Sequence, residues 1–339
     1  MKKINWCVIG AGGIADRRGI PALLQDLSSR ITAVMDMNAE VAKAVAEKYG
    51  IERYYSDERE MLESEKPDAV YIATPVKVHV QQAMLALSFG AHVFMEKPIA
   101  MNAGEAKKLL DAFSKKGKQL TIGYMMGYHS LHKKARNMIE KGRIGQITSV
   151  RMFFSCWYPE IKGAWRQKKA LGGGGCIMDL AVHCMELFSK VTGDEIASCR
   201  SFYSTETFGY EVEDSAVIAF RSAAGTQGVI QVNFNIPDDC AVSRLEIYGT
   251  RGSMVLTGTL GQEDCGKMQF ISSAQTDYEA AQVRSTVKPV NYYAKGKNLY
   301  LEQFADFTKL LLSGKTDYSN AVRAMKIQET CDEIYKTGM

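Results

Sequence analysis

The sequence predicts an α/β fold: a doubly wound parallel sheet followed by an α+β domain with a large, mostly antiparallel open sheet. Three observations predict it. Short apolar runs alternate with helical patterns as far as Tyr124. A glycine-rich turn follows directly on the first of those runs. Beyond Ile147 the strand-like runs lengthen, and polar residues alternate with apolar ones. Alternating strand and helix suits right-handed βαβ crossovers, and strands buried on both faces read as continuous apolar runs.

Ile4 to Ile9 is the first run, and Met1-Lys2-Lys3 leads straight into it. Gly10 to Gly13 breaks it, and a helical pattern extends through Pro21-Ala22-Leu23-Leu24. Ile31 to Met35 is the second run, ended by Asp36. Asn38 suits an N-cap, and Val41, Ala42, Val45 and Ala46 mark one buried helix face before Gly50. Ala69 to Ala73 and His92 to Met95 are further buried strands, with a helix from Val80 to Phe89 between them. A helix from Ala103 to Lys116 and the strand Leu120 to Ile122 close the series. After a helix from Leu131 to Ile139, the runs Ala216–Phe220 and Val229–Phe234 flank Gly225 as a hairpin. Leu245–Tyr248 and Ser253–Leu256 flank Gly249-Thr250-Arg251-Gly252 as another. Tyr300 to Leu312 and Ala321 to Tyr335 read as helices. The expected division is therefore 1–124 and 125–339, with the C-terminal helix packing back on the first domain.

The 339 residues favour two cores rather than one. A net charge of only +4, spread along the chain, leaves no footprint for nucleic acid or a membrane surface. None of the eight cysteines forms a C-x-x-C pair, so no zinc or other metal site is expected. They read as free thiols in a reducing compartment. With no signal-peptide h-region and no 18-residue apolar span in view, a cytoplasmic protein is expected.

Gly10-Ala11-Gly12-Gly13-Ile14-Ala15 matches G-x-G-x-x-G/A between a strand and a helix. Gly10 permits the tight turn. Gly12 lets backbone approach a pyrophosphate at the helix N-terminus, and the small Ala15 allows helix and strand to pack closely. Asp36 follows at about 20 residues, where a carboxylate accepts from ribose hydroxyls. The N-terminal domain thus reads as a Rossmann domain binding a nicotinamide dinucleotide. Asp36 repels a 2′-phosphate, and Met37 stands where an arginine would favour NADP, so NAD is expected over NADP.

Three more segments fall where chemistry belongs. Glu96-Lys97-Pro98 follows one strand and Thr74-Pro75 another, both at the carboxyl edge where open sheets bind ligands. Lys97 reads equally as a catalytic group or an ordinary lysine. Thr74 suits the nicotinamide ribose. His79 reads as a neighbour of the cofactor or as a satisfied histidine at a helix start. Gly172 to Gly175 lead into an apolar helix on which Asp179 and His183, four apart, share a face. The alternative is an Asp–His pair on a helix surface.

The chain resembles the Gfo/Idh/MocA family over nearly its whole length. The resemblance rests on Gly10-x-Gly12, Asp36, Ala73-Thr74-Pro75 with His79, and Glu96-Lys97-Pro98. It rests also on Lys141-Gly142-x-Ile144-Gly145 and on Gly173-Gly174-Gly175 with Asp179 and His183. It implies reversible hydride transfer between NAD(P) and a hydroxyl of a sugar, polyol or related metabolite. It also implies a homodimer or homotetramer formed through the C-terminal sheet. Carried over, Lys97, Asp179 and His183 are the catalytic group. His183 is the acid–base, Lys97 stabilises charge on the reacting oxygen, and Asp179 orients His183 or binds a neighbouring hydroxyl; the roles of Lys97 and His183 are exchangeable. Gly10, Gly12, Gly13, Ile14, Asp36, Met37, Ala73, Thr74, Pro75, His79, Glu96 and Lys97 would hold the cofactor. Tyr124, Tyr158 and Arg166 are substrate candidates, with Tyr128 and Trp157 nearby in sequence. Arg166 reads equally as a surface ion-pair residue, whereas aromatics at such places are more often core. Two departures bear on the substrate pocket: Met125-Met126-Gly127 where many relatives carry arginine, and Glu186 where many carry aspartate. The same family also contains NAD-dependent glycosidases and non-enzymatic NAD-responsive regulators, which are the rival readings.

Overall fold

The computed structural model describes residues 3–273, 280 and 287–338; Met1 and Lys2 lie outside them. Six strands form the first sheet among the described residues: β1 (Ile4–Ile9), β2 (Ser29–Met35), β3 (Arg53–Tyr55), β4 (Ala69–Ile72), β5 (His92–Glu96) and β6 (Leu120–Gly123). All pair in parallel in the order β3-β2-β1-β4-β5-β6. The order reverses between β1 and β4, which is where such sheets open a crevice beyond the strand ends. The helices here are α1 (Ile20–Gln25), α2 (Ala39–Tyr49), α3 (Glu58–Glu65), α4 (Val76–Ser88) and α5 (Ala103–Lys116). Asn38 caps α2 by accepting from the Glu40 N–H, and Gly50 ends it at φ 64°. The expected doubly wound parallel sheet is present.

The second sheet has eight strands among the described residues: β7 (Ile147–Ser155), β8 (Ile196–Ser204), β9 (Ser215–Ser222), β10 (Gln227–Asn233), β11 (Arg244–Gly249), β12 (Gly252–Thr257), β13 (Lys267–Ser272) and β14 (Val290–Tyr293). It runs β14-β13-β12-β11-β7-β10-β9-β8, antiparallel except for the β7–β10 pair. Both expected hairpins, β9–β10 and β11–β12, are formed. The remaining helices are α6 (Ser130–Glu140), α7 (Lys169–Gly172), α8 (Val182–Thr192), α9 (Leu299–Leu312) and α10 (Ser319–Thr337). Phe188 of α8 packs edge-on against Phe220 of β9 at 5.0 Å, so α8 covers one face of the sheet. The opposite face exposes Phe202, Val217 and Val229.

The chain divides into two compact units. One comprises 1–125, 163–174 and 300–332; the other comprises 126–162, 175–299 and 333–339. The first unit therefore gathers pieces from three stretches of sequence. Phe304 and Phe307 of α9 meet Trp6 of β1 at 5.9 and 5.2 Å, and Phe304 meets Tyr71 and Phe94 at 5.1 and 4.5 Å. Each ring buried there contributes roughly 2–3 kcal/mol.

Three features depart from expectation. The helix after Gly13 begins as a π-turn, Ala15–Gly19, in which the Ile20 N–H donates to the Ala15 carbonyl. Pro21 has no N–H for the Arg17 carbonyl, so regular bonding restarts only beyond it. β3, β8, β13 and β14 carry little apolar signal, because strands at or near a sheet edge bury less side chain. Finally, the helical run Lys169–Thr192 does contain an 18-residue apolar window, with mean hydropathy 1.2. That window is 83% buried inside the protein, where an interior helix gains from being apolar on every side.

Candidate active site

The carboxyl ends of β1 and β4 meet at Gly10. Its φ of 83° excludes most side chains, and an added Cβ would stand 2.7 Å from Thr74 Cγ2 and 3.0 Å from the Ala73 carbonyl carbon. Gly10 is thus required by the fold itself. Gly12 and Gly13 are different. A Cβ on Gly12 would meet only ordinary contacts, Val41 Cγ1 at 3.5 Å and Asp36 Oδ2 at 3.7 Å. A Cβ on Gly13 would meet nothing within 4 Å, although its φ of 56° favours glycine. Open space above Gly13, and no close contact at Gly12, leave the room that a pyrophosphate resting on backbone amides requires, so the turn fits a dinucleotide. Ile14 is half-buried beside the turn, and Ala15 is fully buried, as close packing of helix on strand demands.

Asp36 is oriented by the same turn. Its Oδ2 accepts the Gly12 N–H at 3.3 Å and its Oδ1 accepts the Asn38 N–H at 3.0 Å. A carboxylate has about four acceptor positions, so two bonds leave capacity for a ribose diol. Met37 beside it is 89% exposed and offers an apolar surface.

At the ends of β4 and β5 the structure brings together Thr74, Pro75, His79, Glu96, Lys97 and Arg166. His79 is fully buried. Its ring nitrogens lie 3.0 Å from the Pro98 carbonyl and 2.9 Å from the Thr74 carbonyl, so the ring sits between the two strand ends, and in its neutral form its single N–H donates to one of them. Burial pushes its pKa down to about 4, which keeps the ring neutral. This is the satisfied histidine of the two alternatives. The Thr74 hydroxyl donates to Gln82 Oε1 at 2.6 Å.

Glu96 Oε1 accepts the Tyr71 hydroxyl at 2.7 Å. Burial raises the Glu96 pKa, and the Tyr71 hydrogen bond and the charges of Lys97 and Arg166 oppose it. Lys97 is half-buried, and the peptide joining it to Pro98 is cis. Arg166 lies with the first unit rather than the second, and its guanidinium stacks 4.3 Å over the Trp165 ring. Sequence reasoning missed Tyr71 and its relation to Gly19, where a Cβ would run into the Tyr71 ring. A tyrosine inside an otherwise aliphatic strand was the available signal.

In the second unit, Asp179 and His183 stand on a helix that also opens with a π-turn, Ile177–Ala181. The Val182 N–H donates to the Ile177 carbonyl before the α-helix begins. The pair therefore straddles a π-to-α junction, a widened turn of the kind found at functional sites. Asp179 is half-buried and His183 is 5% exposed. Glu186, a further turn along, is buried. Tyr158 is half-buried, 5.1 Å from Phe234, and its carbonyl accepts the Tyr210 hydroxyl. Tyr124, in the first unit, is core at 3% exposed. Tyr128 is half-buried under Lys133, at 4.9 Å, whereas Trp157 is 42% exposed. Sequence reasoning also missed Glu213 and Asp214, two buried acids side by side before β9.

Residues 4–124 match the oxidoreductase family with an NAD-binding Rossmann fold, and residues 132–255 match the GFO/IDH/MocA C-terminal domain. The chain belongs to the GFO/IDH/MocA oxidoreductase family. It is 28% identical over 263 residues to a 1,5-anhydro-D-fructose reductase of Ensifer adhaerens, covering 77% of this chain and 78% of that protein. A levoglucosan dehydrogenase solved with NADH and levoglucosan superposes with a TM-score of 0.86 at 22% identity, covering 99% of this chain and 97% of that one. A 3-ketoreductase of Actinomadura kijaniata, solved with NADP and TDP-benzene, superposes with a TM-score of 0.84 at 20% identity, covering 99% and 98%. At those identities the two structures speak for the fold. The oxidoreductase assignment comes from the family, and it includes a nicotinamide cofactor held by the first unit.

Proposed function

We propose that this GFO/IDH/MocA chain catalyses reversible hydride transfer between NAD and a CH–OH group of a sugar, polyol or sugar derivative. The observation that carries the reading is the turn at Gly10–Asp36: two glycines that packing does not demand stand beside a carboxylate with acceptor capacity left over. The sugar assignment draws on the reductase and dehydrogenase relatives by sequence.

A bound nicotinamide supplies the hydride acceptor or donor at C4. Gly12 and Gly13 would take its pyrophosphate and Asp36 its adenosine ribose, and Thr74, Pro75, Glu96 and Lys97 would line its nicotinamide end. His183 takes the hydroxyl proton as the carbon loses hydride, and returns it in the reverse direction. Lys97 donates to the reacting oxygen and stabilises its developing charge. Asp179 orients His183 or binds the neighbouring hydroxyl. Asp36 favours NAD because a 2′-phosphate would bring negative charge against it.

The exposed face of the second sheet supports a homodimer or homotetramer. Arg151, Val229, Ala219 and Arg200 line up across β7, β10, β9 and β8 there, with Val217 and Phe202 alongside. The free cysteines suit the cytoplasm.

The test is an absorbance screen for NADH formation across sugars, inositols and acidic sugars, with Lys97→Ala as control. Turnover by the wild type should fall by about 10²–10⁴ in Lys97→Ala, with the fold intact. Full turnover in that variant would remove Lys97 from the mechanism, and tighter binding of NADP+ than of NAD+ would overturn the cofactor preference. Glycoside cleavage without net NADH would favour the glycosidase reading. Tight NAD binding with silence across the panel would favour a regulator.

A further inference from the structure

The turn Gly175–Ile177, where the second unit takes up the chain, is gripped by a residue remote in sequence. Glu213 is buried at 6% exposure. Its Oε1 accepts the Gly175 N–H at 2.9 Å, the Ile177 N–H at 3.0 Å and the Tyr335 hydroxyl at 2.8 Å. Its own carbonyl accepts the Cys176 N–H at 3.0 Å. One residue thus holds three consecutive amides, the ones that a helix start leaves without intrahelical acceptors. A Cβ on Gly175 would run into the Glu213 carbonyl oxygen, so the contact admits only glycine. A carboxylate at this end also complements the helix dipole. Burial raises the Glu213 pKa, and the Tyr335, Ile177 and Gly175 donors oppose that rise.

The neighbouring acid does something else. Asp214 accepts N–H groups from Glu206, Thr207 and Phe208 and the amide of Asn235, and so orders a loop. Of the two acids, Glu213 is the one that reaches the turn from which Asp179 and His183 project two and six residues later. Two charge-assisted bonds from the turn to one buried atom, with a third from Tyr335 steadying that atom, fix the rotation of the turn more tightly than apolar packing would.

We propose that Glu213, steadied by Tyr335, is a positioning residue that sets the placement of Asp179 and His183 for proton transfer. This rests on the reading of those two residues as the acid–base group.

The experiment uses the full chain in four forms: wild type, Glu213→Ala, Glu213→Gln and Tyr335→Phe. Glu213→Ala should lose about tenfold to a hundredfold in kcat, with KM for the sugar and Kd for NAD+ within about twofold of wild type. Glu213→Gln keeps an acceptor oxygen and should recover most of that loss. Tyr335→Phe should lose a few-fold. Amide hydrogen exchange at Gly175 and Ile177 should quicken in the same order. A folded Glu213→Ala with wild-type kcat would overturn the positioning role. So would a loss that falls equally on kcat and NAD+ affinity, or a failure of Glu213→Gln to rescue. If Glu213→Ala does not fold, Tyr335→Phe decides: unchanged kcat and unchanged exchange at Gly175 would overturn the proposal. No NADH formation by the wild type would instead overturn the dehydrogenase reading itself.

Discussion

The two glycine-rich turns look alike in sequence and serve opposite purposes. Each follows a strand or loop, each is followed by a π-turn, and each stands where function was expected. In the first, Gly13 faces open space and Gly12 meets only ordinary contacts. In the second, Gly175 is pressed against the Glu213 backbone, and its amide is bound by the Glu213 side chain. The first turn leaves room for a ligand; the second makes room for protein. A glycine motif therefore says that a side chain is unwelcome, and only the surroundings say what takes its place.

Gly175→Ala should break this comparison most severely. The added Cβ cannot clear the Glu213 carbonyl without backbone movement, and backbone shifts of that kind cost about 3 kcal/mol. We expect the second unit to lose its cooperative unfolding transition or to melt well below wild type. Near-ultraviolet circular dichroism during a thermal scan measures it. A wild-type transition would show that the second turn has as much room as the first.

Much of this was legible beforehand, and the gaps have physical causes. The parallel sheet was visible because strands covered on both faces carry apolar residues without interruption, as Ala69-Val70-Tyr71-Ile72 does. The cofactor turn was visible because its residues are neighbours in sequence. Glu213 and Tyr335 were not, since each acts on a turn far from it along the chain. The place of Arg166 was hidden for the same reason: 163–174 lies amid residues of the second unit in sequence but belongs to the first in space. Asn38 and Gly50 were legible because capping is local chemistry.

Acid should weaken both units, and it sharpens the comparison by testing one buried histidine in each. His79 lies between the strand ends of the first unit, and its pKa is held at about 4 by burial. His132 in the second is held at about 3 by burial, and its ring nitrogens lie 2.8 Å from the Met126 carbonyl and 3.1 Å from the Thr259 hydroxyl. Unfolded histidine titrates near 6.5, so the unfolded chain binds these protons first. The stability is complete above pH 6.5 and is lost as pH falls toward 4 and then 3. At pH 5 each ring should cost roughly 2 kcal/mol relative to pH 7.5. Denaturant midpoints across that range measure it, with His132→Gln flattening the slope. A midpoint flat from pH 7.5 to 5 would show that neither ring is held neutral.

The smallest change should be the most informative about the ligand. Gly13→Ala places a methyl group where nothing lies within 4 Å, so packing is untouched. The φ of 56° alone should cost about 1 kcal/mol, a modest fall in melting temperature. Affinity for NAD+ should suffer more, because the methyl group enters the space over the turn that the pyrophosphate needs. Calorimetric titration with NAD+ measures this directly. An affinity that falls by no more than the stability does would mean the open space above Gly13 is not where the dinucleotide rests. The contrast between the two turns would then lie in packing alone, and Asp36 would have to carry the cofactor assignment.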